Sequence, residues 1–235
     1  MSEDSSDVKP KIAPVPWGVK LALLTFIATI TFSSAVSYSS IKLLSSANFA
    51  QARENSIIYF LSLSSMGLVM WLFLRSRKIS IKQFFGKFRL STPFVATAFI
   101  LPYLIASSFV QTALEHIKGY NPDQTQDLGI SGVRGITMLM AFVAICVLTP
   151  IVEETLFRGI LYRGFKSSWP RYVSALIASL IFGLAHGQWN VGADTFVLSV
   201  FMIIAMEATG SMWTNIMMHA IKNSIAFLYV YVLVK

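Results

Sequence analysis

The chain has 235 residues, of which 55% are hydrophobic and only 13% are charged, with a mean hydropathy of +0.64. Soluble domains carry about a quarter charged residues and must present a polar surface to water, so this composition excludes an ordinary soluble domain. The formal net charge of +8 does not indicate nucleic-acid binding. The basic residues stand between apolar blocks, which is typical of loops that contact anionic membrane lipid.

The order of polar and apolar segments predicts an all-α, polytopic transmembrane helical bundle with about seven spans. Residues 1–16 are polar, of mixed charge and contain three prolines, which predicts a short disordered tail. The apolar runs that follow are 21–41, 56–74, 91–114, 135–152, 172–186, 195–206 and about 212–234. The first four approach the ~20 residues that span a bilayer. The fifth and sixth are shorter and need polar neighbours to complete them.

Lysine and arginine are distributed unevenly between these runs. The connection 75–89 contains six of them and no acidic residue, and 158–171 contains four. The segment 115–134 instead contains three acidic residues, Glu115, Asp123 and Asp127. The positive-inside rule therefore predicts an integral, multi-pass protein whose N-terminus and basic connections face the cytoplasm.

Three clusters of polar residues lie in the apolar second half of the chain. They are Glu153, Glu154 and Arg158, then Phe182 and His186, then His219 and Asn223. Each has a purely structural interpretation: an interfacial cap, a hydrogen-bonded core histidine, or a bridge between helices. However, ionisable groups inside a membrane are costly and indicate function, and three such clusters within 71 residues argue against coincidence.

The two adjacent glutamates are predicted to have different neighbours. Residues four apart share a helix face, so Glu154 can pair with Arg158 while Glu153 keeps no local cation. This predicts Glu153 as a general base. An apolar stripe at helical spacing predicts that the helix continues past the glutamates to Lys166. The helices that carry Glu153 and His186 start at opposite faces of the membrane. The two side chains can therefore meet only if the helix that carries Glu153 tilts or projects beyond the bilayer.

The clusters resemble, in order and spacing, the motifs of the CAAX protease and bacteriocin-processing (CPBP) family of intramembrane peptidases, which includes type II CAAX prenyl endopeptidases. The matching motifs are EExxxR, FxxxH and HxxxN, together with a Gly210-Ser211 turn before the last one. The resemblance covers about residues 135–235. It divides the membrane domain into N-terminal spans, 17–134, and a CPBP-type catalytic core, 135–235.

The resemblance implies a role for each motif residue. Glu153 activates a water that His186 helps to hold, and His219 and Asn223 stabilise the oxyanion of the tetrahedral intermediate. The second glutamate and the arginine of the first motif form a supporting ion pair. The implied function is an intramembrane endopeptidase, and the short length of the chain, 235 residues, favours a bacterial cytoplasmic membrane. Its partners are membrane lipid and a membrane-associated peptide or protein, with prenylated C-terminal and bacteriocin- or signal-type peptides as candidates.

Metal dependence stays open at this level. Glu153, His186 and His219 are legitimate zinc ligands, but the sequence has no HExxH pair and the three come from separate helices. A glutamate–histidine site that holds water directly needs no cofactor. That interpretation is favoured, and a divalent metal such as zinc is the alternative.

Two other functions compete with the peptidase. A catalytically silent bacteriocin-immunity or membrane scaffold protein could share the fold, but the complete set of motif side chains favours the enzyme. A transporter is disfavoured because the polar residues crowd into one half of the chain, whereas transporters usually show paired repeats.

Overall fold

The computed structural model describes residues 12–45, 51–121 and 134–233, with side chains from residue 54 onward in the second range. Most of the predicted disordered tail, up to residue 11, lies outside the described residues. Asp123 and Asp127 of the predicted acidic loop lie outside them as well.

The described residues are helical, with no strand among them, and the predicted all-α membrane bundle is confirmed. The helices are α1 (Val19–Leu44), α2 (Gln51–Ser76), α3 (Ile81–Phe85), α4 (Thr92–Leu114), α5 (Gly135–Lys166), α6 (Arg171–Leu184), α7 (Trp189–Thr209) and α8 (Met212–Leu233). Six of these described helices, all except α3 and α6, are long and apolar enough to cross a membrane.

The count of about seven spans is close, and the difference lies in α6. This helix occupies the predicted fifth run but has only 14 residues. At 1.5 Å per residue it rises about 21 Å, which is less than the ~30 Å of a bilayer core. The predicted sixth run, by contrast, is lengthened by polar neighbours into the 21 residues of α7.

Helix α5 is the longest described helix and carries the double glutamate in its interior. It has 32 residues, or about 48 Å at the α-helical rise, so it exceeds the thickness of a bilayer core. Glu153 is about 27 Å from its first residue and about 20 Å from its last. The predicted continuation to Lys166 is confirmed, and it allows the glutamates to meet the histidines of the other helices.

Two π-helical turns widen α5 on either side of the glutamates, at Ala144–Leu148 and Thr155–Tyr162. The first precedes Pro150, whose ring lacks an N–H and clashes with the preceding turn of an α-helix. The Thr149 side chain donates to the carbonyl of Ala144 over 2.9 Å. Pro150 has no backbone N–H, so it cannot donate a backbone hydrogen bond to the next carbonyl along the helix, that of Ile145. Such π-bulges often mark functional sites.

One end of the bundle brings together the segment before α1, the short helix α3 and the end of α5. Trp17 Nε1 donates to the carbonyl of Ile160 over 3.0 Å. Arg163 donates to the carbonyls of Phe84, over 3.1 Å, and Ala13, over 2.8 Å. Both basic connections and the N-terminal segment therefore lie at the same end of the bundle, which agrees with the alternation of basic loops.

Helices α6 and α7 approach each other closely and hold the FxxxH motif in place. A Cβ atom on Gly183 would lie 2.6 Å from the carbonyl oxygen of Gly192, so only glycine fits there. Ser199 also donates to Ser179 across the same interface, over 2.8 Å. Small residues let membrane helices pack closely, because apolar side chains gain little by leaving lipid for one another.

Candidate active site

Glu154 is the fully buried member of the glutamate pair. Its Oε1 atom accepts a hydrogen bond from Arg158 Nη1 at 2.9 Å, one helical turn away. The same oxygen lies 2.9 Å from His219 Nδ1 on α8. The i,i+4 ion pair expected from the sequence is present, and a histidine from another helix joins it.

The contact with Glu154 fixes the orientation of the His219 ring. A carboxylate paired with arginine can only accept, so Nδ1 of His219 carries the hydrogen. The other ring nitrogen, Nε2, lies 3.9 Å from Glu153 Oε2. A single imidazole therefore stands between the two glutamates and presents one nitrogen to each.

Glu153 has a more open environment than its neighbour. Its side chain is 23% exposed, whereas that of Glu154 is 0% exposed. Its Oε2 atom is itself buried and has no hydrogen-bond partner among the described residues. Glu153 therefore combines a free oxygen with partial access, as a group that must reach a substrate or water requires.

Phe182 links the three motifs through its ring. The guanidinium carbon of Arg158 lies 4.1 Å from the ring centroid, which is cation–π geometry. The rings of His186 and His219 contact the same phenylalanine, with centroids 5.0 and 5.9 Å away. The aromatic residue of FxxxH thus packs against both histidines and the arginine, and it is fully buried itself.

His186 lies just beyond the end of α6 and is half-buried. Its Nδ1 atom is 2.8 Å from the carbonyl oxygen of Phe182 and 3.4 Å from Thr195 Oγ1. Because a carbonyl only accepts, Nδ1 carries the hydrogen and Nε2 is left with its lone pair. His186 is close enough to interact electrostatically with Glu153 and His219.

Asn223 stands one turn beyond His219 but makes a different contact. Its Nδ2 donates to the carbonyl oxygen of Ile145 over 3.0 Å. That carbonyl is the one left without a backbone N–H by Pro150. Asn223 therefore ties α8 to the first π-helical turn of α5, and no hydrogen bond joins its side chain to the glutamates or histidines in the described structure.

A second charged group lies beside this site and was missed in the sequence analysis. Asp194 Oδ1 accepts hydrogen bonds from Tyr103, over 2.7 Å, and Ser107, over 2.5 Å, both on α4. Its Oδ2 lies 3.5 Å from Lys222 Nζ, and Lys222 also interacts electrostatically with His186. The available signal was an acid directly before the run 195–206 and a lysine inside the last run.

The site residues, as placed, do not form a ready metal centre. Among the described residues, no group of three or more His, Cys, Asp or Glu side chains is arranged to hold a metal ion. The zinc alternative needs Glu153, His186 and His219 to converge on one point. His219 already uses Nδ1 on Glu154, which leaves Nε2 as its only available ligand atom.

Comparison with known proteins supports the family that the motifs indicate. Residues 135–225 match the family described as "Type II CAAX prenyl endopeptidase Rce1-like". An Escherichia coli protein described as "Uncharacterized 24.3 kDa protein" is 30% identical over 97 residues, covering 39% of this chain and 45% of that protein. No solved structure matches the chain with significance.

The fold and the site define a multi-pass α-helical membrane protein with a buried glutamate–histidine centre. The matched segment contains all six motif residues predicted to form the site. The match of residues 135–225 to the Rce1-like type II CAAX prenyl endopeptidases supports the family that the motifs indicate, the CAAX protease and bacteriocin-processing family. The matched region spans less than half the length of the curated relative.

Proposed function

We propose that this protein is an intramembrane endopeptidase that cleaves a membrane-associated peptide with a water activated by Glu153. The observation that carries the proposal is the unequal environment of two adjacent glutamates. Glu154 is fully buried and held by Arg158 and His219, whereas Glu153 is partly exposed with a free oxygen. Two carboxylates placed in different environments can take different roles in one reaction.

His219 is placed to contact both the supporting glutamate and a bound substrate. Its Nδ1 lies 2.9 Å from Glu154 Oε1, and its Nε2 lies 3.9 Å from Glu153 Oε2. When the imidazole carries a hydrogen on both nitrogens, Nδ1 donates to Glu154 and the N–H on Nε2 is available to a substrate carbonyl beside Glu153.

Glu153 and His186 supply the acceptors for the attacking water. The free Oε2 of Glu153 and the Nε2 lone pair of His186 can each accept one of its hydrogens. Glu153 removes a proton as the water oxygen bonds to the carbonyl carbon, and the carbonyl π pair moves onto its oxygen. When the intermediate collapses, the C–N bond breaks and Glu153 returns the proton to the leaving amine nitrogen.

The oxyanion of that intermediate needs donors aimed at its position. His219 Nε2 is one, because Glu154 holds the ring with this nitrogen toward Glu153. Asn223 is the second, through the amide hydrogen that its bond to Ile145 leaves free. Glu154 holds the His219 ring in orientation, Arg158 holds Glu154, and neither of these two residues contacts the substrate.

The surroundings of the site suggest the class of substrate. Glu153 lies deep within a helix that crosses the membrane, so the scissile bond must belong to a peptide held in or against lipid. Prenylated C-terminal peptides and bacteriocin- or signal-type peptides both fit this description. We further propose that the end of the bundle with the basic connections faces the cytoplasm of a bacterial membrane.

Cleavage of a peptide library by the detergent-purified protein tests the proposal. Wild type is compared with Glu153→Ala, and products are identified by mass spectrometry. We expect defined cleavage products from the wild type and none from the variant. If both proteins lack activity while wild type protects cells against a bacteriocin, the chain is the immunity or scaffold protein and not a peptidase.

A further inference from the structure

Asn215, on α8, has a buried amide that the mechanism above does not use. Its side chain is 0% exposed, and both Oδ1 and Nδ2 have no hydrogen-bond partner among the described residues. Burying an unpaired amide costs about 1–3 kcal/mol by mutational measures. An apolar residue of similar size would avoid that cost. The presence of the amide therefore indicates that a hydrogen-bonding partner lies close to it.

Complementary atoms without partners occur in the motif residues of α5. Arg158 is 1% exposed and bonds through Nη1, while its Nε and Nη2 atoms are buried and unpaired among the described residues. The Oε2 atom of Glu154 is also buried and has no hydrogen-bond partner among the described residues. A carboxamide is suited to both, because its oxygen accepts from a guanidinium and its NH₂ group donates to a carboxylate.

The packing of α5 and α8 places these atoms in the same layer. The two helices run in opposite directions, and they touch at Asn223 with Ile145 and at His219 with Glu154. Further along, a Cβ atom on Gly159 would lie 3.1 Å from the Met212 methyl group. These three contacts set the register of one helix against the other.

The register shows which residues of α5 and α8 lie opposite each other between these contacts. One turn from His219 toward Met212 is Asn215, on the same face of α8. One turn from Glu154 toward Gly159 is Arg158, on the same face of α5. Asn215 therefore stands opposite the stretch that carries Arg158, one layer below the pairing of His219 with Glu154.

We propose that Asn215 is a positioning residue of the active site, whose carboxamide holds Arg158 and Glu154 together. Its oxygen accepts from the free guanidinium nitrogens, and its NH₂ group donates to Glu154 Oε2, directly or through one buried water. The carboxamide satisfies atoms that are otherwise unpaired in a membrane interior.

Asn215 acts on the reaction only through other residues. By restraining Arg158 it restrains Glu154, and through Glu154 it fixes the direction in which His219 Nε2 points. Supporting residues of this kind hold a catalytic group within the narrow range of positions that the reaction needs. This role rests on the proposed peptidase activity, whereas the pairing of Asn215 with Arg158 does not.

Steady-state kinetics test the positioning role. Asn215→Leu keeps the branched shape of the side chain and removes the amide, and we expect kcat to fall about 10- to 100-fold while KM changes less than about twofold. Asn215→Ser, which restores a donor and an acceptor, should recover most of this loss. Ser199→Ala is the matched control, because it removes a buried hydrogen bond to Ser179 away from the site. An unchanged kcat in Asn215→Leu overturns the proposal, as does an equal loss of kcat in the control.

Thermal stability tests the pairing without any need for catalysis. Arg158→Lys keeps the charge but removes the Nε and Nη2 donors, so Asn215→Leu should lower Tm less in this background than in wild type. Equal shifts of Tm in the two backgrounds overturn the pairing. If the Tm shifts of the two substitutions are coupled but the protein cleaves no peptide, the pairing of Asn215 with Arg158 is supported and the peptidase activity is rejected. If Asn215→Leu does not fold, Asn215→Ala, which also removes the amide, takes its place in the same cycle.

Discussion

His219 Nδ1 lies 2.9 Å from Glu154 Oε1, across 65 residues of sequence. Glu154 also accepts from Arg158 through the same oxygen, and this is why the proposed mechanism assigns the chemistry to Glu153. The contact with Glu154 also aims the second nitrogen of His219 at Glu153. The roles proposed for the four side chains follow from this arrangement, and each can be tested by itself.

Glu153→Gln should abolish most activity and leave the fold intact. Glutamine keeps the shape and hydrogen-bonding capacity of the side chain but cannot accept the proton of the water. We expect turnover to fall about 10²- to 10⁴-fold, the usual contribution of general-base catalysis, with Tm in detergent unchanged within about 2 °C. Near wild-type peptide cleavage by this variant would show that Glu153 is not the base.

Glu154→Gln should lose stability as well as activity. The substitution leaves the buried guanidinium of Arg158 without its counterion, and breaking such a pair costs about 3–5 kcal/mol. A fall in Tm together with lower yield of folded protein is expected by fluorescence-detected size-exclusion chromatography. A Glu154→Gln protein that is stable but inactive, beside an active Glu153→Gln protein, would reverse the assignment of the two glutamates.

His219→Ala and Asn223→Ala should both slow cleavage, but they should differ in stability. Loss of an oxyanion donor typically reduces kcat about 10²- to 10³-fold, and we expect this in each variant. Asn223→Ala also leaves the Ile145 carbonyl unpaired, at a cost of about 1–3 kcal/mol. Asn223→Asp is the matched variant, because it keeps the size but loses the amide donor. If kcat in Asn223→Ala equals that of wild type, Asn223 serves only as a tether.

Activity should survive exhaustive chelation. Glu153 and His186 can hold a water between them, so the proposed reaction needs no cation. Peptide cleavage after dialysis against a strong chelator is measured together with the metal content of the purified protein. Stoichiometric zinc, with activity lost on chelation and restored by zinc alone, would contradict this prediction.

The orientation in the membrane can be tested by cysteine labelling in intact cells. The native Cys146 is buried and is replaced by alanine in the background protein. Lys82→Cys, in the basic connection, should be protected from an impermeant thiol reagent, whereas Lys118→Cys, between α4 and α5, should be labelled. Both positions are exposed. The reverse labelling pattern would place the basic end outside the cytoplasm.

Local spacing along the sequence was sufficient to predict the helices and part of the site. Apolar runs predicted the membrane bundle, and the separation of four residues predicted the ion pair of Glu154 with Arg158. Both predictions rest on the fixed geometry of a single helix, which brings residues i and i+4 together wherever the helix is placed. The stripe that continued α5 to Lys166 belongs to the same class of signal.

The contacts between helices were decided only by the tertiary structure. No spacing indicated that His219 would meet Glu154, that Asn223 would satisfy a carbonyl beside Pro150, or that Asp194 would pair with Lys222. The lengths of the fifth and sixth runs also did not show that polar neighbours would complete only the sixth, as α7, and leave α6 too short to span a bilayer. Apolar residues face lipid and protein equally well, so the pattern does not say which faces of two membrane helices pack together. Close backbone approach at small residues and a few polar contacts set that register instead, and they create the site.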